Sequence, residues 1–143
     1  MKNYAVIITQ DEDGYYIAEV PELHGCHTQA KSLKELMERT KEAMELCLEE
    51  KNVQYPVVSF IDVKKNSGMS KLPLLTGKEL ISILKTLGFI EKRVKGSHVF
   101  LTHESGRSTV VPVHSGETIG RGLLLKIIDD VGMTKDEFIK LIQ

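Results

Sequence analysis

Residues 95–103, KGSHVFLTH, put a histidine at the head of an alternating run. In an extended strand His98, Phe100 and Thr102 share one face, and Val99, Leu101 and His103 share the other. Lys92, Arg93 and Lys95 come just before it, and Gly96 and Ser97 offer backbone amides next to it. Imidazole has an unperturbed pKa of about 6.5, so it can take or give a proton near neutral pH. Cations and amides beside it would stabilise charge developing on a phosphoryl group. The set suits proton transfer in a phosphate-binding site. The competing reading is a polar residue at a hairpin edge.

The other histidines divide by position. His103 falls on the face opposite His98 and reads as structural. His114 ends VPVH ahead of a helix, and it either lines the site or caps a turn. Four residues separate His98 from His103 and ten separate His103 from His114, which fits no common zinc spacing. No metal or other cofactor is expected. His24, Cys26 and His27 follow one another around Gly25 and read as structural. Asp11, Glu12 and Asp13 form a hairpin tip, where turns favour them.

The elements that must hold these residues fall into two groups. YAVIIT and YYIAEV flank DEDG as a hairpin, and Pro21 and Gly25 leave room for a short third strand. Ser32 and Glu35 have capping-box spacing ahead of a helical stripe that ends near Lys51, and VVSFIDV is a further strand. Residues 1–63 therefore read as β-β-β-α-β. Residues 64–72, KKNSGMSKL, have linker composition. From residue 73 the pattern restarts. Thr76 and Glu79 cap a helix that Gly88 ends, and FIEKRV and SHVFLTH form a hairpin. RSTVVPV is an edge or terminating strand because of Pro112. A helix follows from about Gly120 to Val131, then a short one capped by Thr134 and Glu137. Residues 73–143 read as α-β-β-β-α plus a small helix, and the whole chain as α+β.

The 143 residues carry a net charge of -1, with 41% hydrophobic and 27% charged residues, as in a folded domain or two small ones. No run approaches the roughly 18 apolar residues of a membrane span, and the first residues lack a signal-peptide pattern. Two cysteines, Cys26 and Cys47, fit no disulfide framework and point to a reducing, cytoplasmic setting. The charge is uneven. Residues 1–70 hold eight basic and twelve acidic side chains; residues 71–143 hold eleven and eight. A basic half suits a polyanion, and an acidic half could cover it.

The α-β-β-β-α order with basic loops is that of a double-stranded-RNA-binding domain. TGKELISILKTLGF, GSHVFL, VPVHSGE and GLLLKIIDDVGMTKDEF, in this order over residues 73–143, resemble the HicA toxin family. The resemblance implies a metal-independent messenger-RNA endoribonuclease whose catalytic histidine is His98. Lys92, Arg93, Lys95, Gly96 and Ser97 would then face RNA, with Arg121 and Lys126 contributing from the second long helix. That helix departs from the family: Leu123 and Leu125 stand where a threonine and an arginine are usual. YAVIITQDEDGYYIAEVPELHGCHTQAKSLKELMERTKEAMELCLEE resembles the HicB antitoxin family and implies a truncated ribonuclease-H-like fold over residues 3–63.

HicB proteins usually carry a C-terminal operator-binding domain. Here the HicA-like half occupies that place, so operator binding is not expected. The chain reads as antitoxin and toxin in one polypeptide. A linker of about nine residues spans at most roughly 30 Å and holds the halves near millimolar effective concentration. The first half would cover His98 either in its own chain or, by swapping, in a second copy of a homo-oligomer. The alternative is a degenerate RNA-binding or scaffold protein that has lost cleavage.

Overall fold

The computed structural model describes residues 3–51, 57–65 and 72–143, the backbone alone for Lys51 and 57–65. Strand β1 (Asn3–Gln10) turns back into β2 (Tyr16–Glu19), and β3 (His27–Ala30) pairs with β2. Asp11 makes the hairpin turn: its Oδ1 accepts the N–H groups of Asp13 and Tyr15, each at 2.9 Å. Gly14 supplies the positive φ that this turn needs. Helix α1 (Leu33–Lys51) then crosses over to β4 (Val57–Lys65), which lies parallel to β1. A parallel pairing requires such a crossover. The sheet order is β3-β2-β1-β4. Tyr4, Val6 and Ile8 alternate inward from β1 onto Leu36, Met44 and Leu48 of α1.

The second half adds β5 (Leu75–Thr76), α2 (Gly77–Thr86), β6 (Ile90–Lys95), β7 (His98–Thr102) and β8 (Ser108–Pro112). It ends with β9 (Thr118–Ile119), α3 (Arg121–Asp130) and α4 (Lys135–Ile142). Both expected capping boxes form, Thr76 with Glu79 and Thr134 with Glu137. Gly88 and Phe89 close α2 with bonds to the Lys85 and Leu84 carbonyls, the paired pattern of a Schellman end. β6-β7-β8 form an antiparallel sheet in which β8 ends at Pro112 on an edge. The short pair β5–β9 forms a separate ladder that the sequence pattern does not announce.

Some details differ from the sequence reading. Only half of the first capping box is made: Glu35 N–H reaches Ser32 Oγ, while its carboxylate turns to Arg39 at 2.5 Å. Of the linker expected at 64–72, Lys64 and Lys65 belong to β4 and Leu72 is buried, while residues 66–71 lie outside the described residues.

Strands β7 and β8 are covered on both faces. Val99, Leu101 and Val111 point into a core with Leu80 and Leu84 of α2 and Leu123, Leu124 and Ile127 of α3. Phe100 and Val110 point the other way and join the core of the first half. In return Ile17 of β2 is buried in the core of the second half. Burying one such side chain contributes about 1.5–3 kcal/mol, and these three residues join the halves by apolar contact. The Gly25 carbonyl also takes the Val110 N–H at 3.1 Å on the exposed edge of β8.

Candidate active site

His98 opens β7 directly after the positive-φ turn residue Gly96. Its partner across β6 is Lys95, and across β8 it is Pro112. The β6–β7 register slips between Glu91 and Arg93, leaving Lys92 as the extra residue. That bulge decides the site's charge. It keeps Glu91 with Leu101 on the α2 face and moves Arg93 and Lys95 to the face of Phe100 and His98.

This face looks onto α1, and α1 answers it with carboxylates. Lys92 pairs with Glu50 at 3.0 Å. Arg93 meets Glu50 at 2.6 Å and Glu49 at 3.0 Å. Lys95 lies 2.5 Å from Glu49 and 3.3 Å from Glu45. Glu42, Glu45 and Glu49 recur three and four residues apart, so one face of α1 presents all of them. The Lys95 bond, then the Arg93 bond, hold Glu49 below the ordinary carboxylate range.

Glu42 reaches furthest in. Its Oε1 accepts from His98 Nδ1 at 2.6 Å, from the Ser97 N–H at 3.1 Å and from Ser97 Oγ at 3.2 Å. Burial alone would raise the Glu42 pKa, but the bonds from His98 and Ser97 outweigh it and hold the carboxyl below its usual value. A Cβ on Gly96 would run into the same carboxylate. On the other side of the ring, Nε2 lies 2.8 Å from Thr28 Oγ1 in β3. The His98 side chain is 0% exposed. Burial pushes its pKa below the usual value, against the upward pull of Glu42. A neutral ring with Nδ1–H donating to Glu42 leaves Nε2 to accept from the Thr28 hydroxyl, and every hydrogen-bonding position is then used.

Arg121 and Lys126 lie on α3, away from the β6–β7 turn, and they also meet acids of the first half. Arg121 Nη1 meets Asp13 at 2.6 Å and Lys126 meets Glu19 at 2.7 Å. Helix α3 has no side-chain cap of its own at Gly120. The hairpin tip supplies the missing acceptors: Asp13 Oδ2 takes the Arg121 N–H at 2.9 Å and Asp11 Oδ2 the Gly122 N–H at 3.2 Å. Gln29 Oε1 takes the Gly120 N–H at 2.8 Å. Negative groups at a helix N-terminus are favoured by its dipole and its unpaired N–H groups. Any side chain at Gly120 or Gly122 would strike Asp11, Tyr15 or Ile17. Of the two leucines that depart from the family pattern at α3, Leu123 is fully buried in the second core and Leu125 is 39% exposed.

The remaining histidines separate cleanly. His103 stacks on Phe89 with ring centroids 5.0 Å apart, and its Nδ1 accepts the Ser105 N–H. His114 Nε2 is buried with no hydrogen-bond partner among the described residues. His27 lies 3.1 Å from Asp130 Oδ2, a carboxyl that also accepts from Thr109 Oγ1 at 2.8 Å. By distance this is an ion pair, but burial drives both groups to their neutral forms. His27 falls to about 3 and Asp130 rises to about 7. Cys26 and Cys47 are both buried. Among the described residues no group of three or more His, Cys, Asp and Glu side chains could hold a metal ion. No described helix is long and apolar enough to cross a membrane.

The sequence reading missed the partners: Thr28, Glu42, Glu45, Glu49 and Glu50 opposite His98, and the second role of Asp11 and Asp13. The signal for the first group was present in the helical spacing of the α1 glutamates set against the basic run EKRVK.

Each half of the chain is similar to a separate family of known proteins. A family model for the HicB-like antitoxin of bacterial toxin–antitoxin systems matches residues 4–69, and one for the HicA toxin matches residues 77–133. A UPF0150 protein of Archaeoglobus fulgidus is 67% identical over 52 residues, covering 36% of this chain and 75% of the relative. A UPF0150 protein of Synechocystis sp. is 42% identical over 64 residues, covering 45% and 91%. Another, of Helicobacter pylori, is 38% identical over 68 residues, covering 48% and 89%. The chain belongs to the UPF0150 family and joins a HicB-like antitoxin domain and a HicA toxin domain in one polypeptide.

Proposed function

We propose that the chain is a self-inhibited endoribonuclease. The second half, with the α-β-β-β-α arrangement of a double-stranded-RNA-binding fold, cuts messenger RNA through His98 without a metal ion. The first half, a truncated ribonuclease-H-like unit, denies RNA the site. In the open form His98 Nε2 takes the proton from a ribose 2′-hydroxyl. The 2′-oxygen attacks the adjacent phosphorus, and the 5′-oxygen leaves with a proton from water or a second carrier. The Gly96 and Ser97 amides, with Lys92, Arg93 and Lys95, neutralise the charge that builds on the phosphorane.

One observation carries the reading: both ring nitrogens of His98 are held by the first half, Nδ1 by Glu42 and Nε2 by Thr28. The Thr28 hydroxyl donates where a substrate hydroxyl would. The Glu42 carboxylate sits on the Ser97 amide where a phosphate oxygen would. Arg121 and Lys126, held by Asp13 and Glu19, form a second RNA contact that the same half covers.

The test uses the full chain. Charge reversal at Glu42 and Glu49 opens the face, and the doubly substituted chain should cleave single-stranded RNA where the parent does not. Adding His98→Ala should abolish that cleavage and adding His103→Ala should leave it intact. An opened chain that binds RNA without cutting it would leave an RNA-binding protein and defeat the ribonuclease reading. Equal cleavage by parent and opened chain would defeat the self-inhibition.

A further inference from the structure

The first half does not cover everything around the turn that carries His98. On the α2 side of the β6-β7-β8 sheet lies an open cavity of about 430 Å³. Lys78, Ser82 and Lys85 line it from α2, Val94 from β6, and Ser97 and Val99 from the turn and β7. Every lining residue belongs to the second half. We infer that this cavity is a nucleotide subsite that seats one base of a single-stranded RNA next to the phosphate at Ser97, and that it stays open while His98 is covered.

Three features support this. The apolar walls are formed by Val94, Val99 and Val113 with Ile81, and Val94 leaves 60% of its surface in solvent. An unstacked base needs such walls, and RNA is read mainly through bases splayed out of a single strand. The rim is cationic and hydroxylic. Lys78 is exposed, and among the described residues Lys85 pairs with the exposed Glu91 at 3.2 Å. Two ammonium groups against one carboxylate suit a ligand that carries a phosphate. The size lies within the roughly 300–1,000 Å³ of small-molecule sites. The third feature is continuity. Gly96 and Ser97 form a shared wall: the Ser97 amide holds the Glu42 carboxylate on one side, and both residues line the cavity on the other. A strand bent around this turn would set its base against Val94 and Val99 and its neighbouring phosphate at Ser97. His98 and Val99 point to opposite sides of the sheet, which separates the binding step from the cleavage step.

The choice of RNA as ligand class rests on the ribonuclease reading, but the measurement does not. The full-length chain, with His98 covered, is titrated with adenylate, guanylate, cytidylate and uridylate, and separately with inorganic phosphate, while backbone amide resonances are followed. At least one nucleotide should shift Lys78, Ser82 and Ser97, and phosphate alone should not. Ser82→Phe fills the cavity and Val94→Asp sets a carboxylate at its mouth. Each should weaken binding by about tenfold or more. Val94 is exposed, so its replacement keeps the test available should the larger side chain disturb α2. No shift with any nucleotide, equal shifts with inorganic phosphate, or undiminished binding by both variants would overturn the subsite. Cleavage by the opened chain is scored separately, so a nucleotide-binding chain that never cuts would defeat the ribonuclease alone.

Discussion

Glu42 and His98 stand 56 positions apart in the chain and 2.6 Å apart in the fold. The contact joins the middle of the antitoxin domain's one long helix to the first residue of a toxin-domain strand. It also extends to Ser97, whose amide and hydroxyl both donate to the same carboxylate oxygen. A single side chain therefore engages the imidazole, the nearest amide donor and the turn. Around it the other α1 glutamates take the cations of β6.

Glu42→Lys should release the site more than Glu42→Gln. The amide oxygen of glutamine can still accept from Ser97 and His98, while lysine adds a cation beside Lys95. Hydrogen bonds to charged groups contribute about 1.5–3 kcal/mol. Glu42 is a third exposed, so the lower end applies. That corresponds to roughly a tenfold rise in the open population for Glu42→Gln. Hydrogen exchange at the Ser97 amide reads this directly. Protection unchanged in both variants would show that apolar contact alone keeps the site closed.

Acid should loosen the cover. Burial holds the His98 pKa below 6.5, so between that lowered value and 6.5 the open or unfolded form binds a proton that the closed form does not. Stability tied to His98 is therefore present above pH 6.5 and is lost as pH falls below it. Glu42, held below its usual 4.5, adds a second loss only at lower pH. The midpoint of thermal unfolding should fall from pH 7 to pH 5 in the parent chain and fall less in His98→Gln. Parallel slopes in the two would place the pH dependence elsewhere.

The strand carrying His98 was legible because alternation over HVFLT is strong and both of its faces have partners. The caps at Thr76 and Thr134 were legible because their chemistry is local. What escaped was non-local or depended on one inserted residue. The bulge at Lys92 redirects Arg93 and Lys95, yet nothing in EKRVK marks it. Asp11 reads as a turn former and is one, but only Oδ1 serves the turn, and Oδ2 serves a helix 111 residues away. The β5–β9 ladder has two residues on each strand, too short for any period to show. Leu123 of α3 stands out as a departure from the family pattern, and its reason lies in a core that sequence alone does not draw.

Gly122→Ala should separate helix stability from docking. Glycine within a helix is about 0.5–1 kcal/mol worse than alanine, so α3 by itself would gain. Yet the new methyl would meet Ile17 Cδ1 and, at 2.8 Å, Asp11 Cβ. The full chain should lose protection at Gly122, Ser97 and His98 together, while the resonances of α2 and α4 keep their positions. Loss confined to α3 would mean that the hairpin tip and the α1 face dock independently.

The buried His27–Asp130 pair should be silent to pH until one member is changed. Between about pH 4 and 6.5 the unfolded chain carries one proton on His27 and none on Asp130. The folded chain carries none on His27, whose pKa lies near 3, and one on Asp130, whose pKa lies near 7. The counts match, so the pair gives no slope there. Asp130→Asn removes the carboxyl and keeps an acceptor for Thr109 Oγ1. The His27 contribution is then unopposed: its pKa is lowered, so stability should rise as pH goes from 4 to 6.5. Over that span, at 1.36 kcal/mol per pKa unit, the gain is at most about 3 kcal/mol. Denaturant unfolding of the parent and Asp130→Asn at several pH values checks it. A flat difference between them would mean that burial does not lower the His27 pKa in the folded chain.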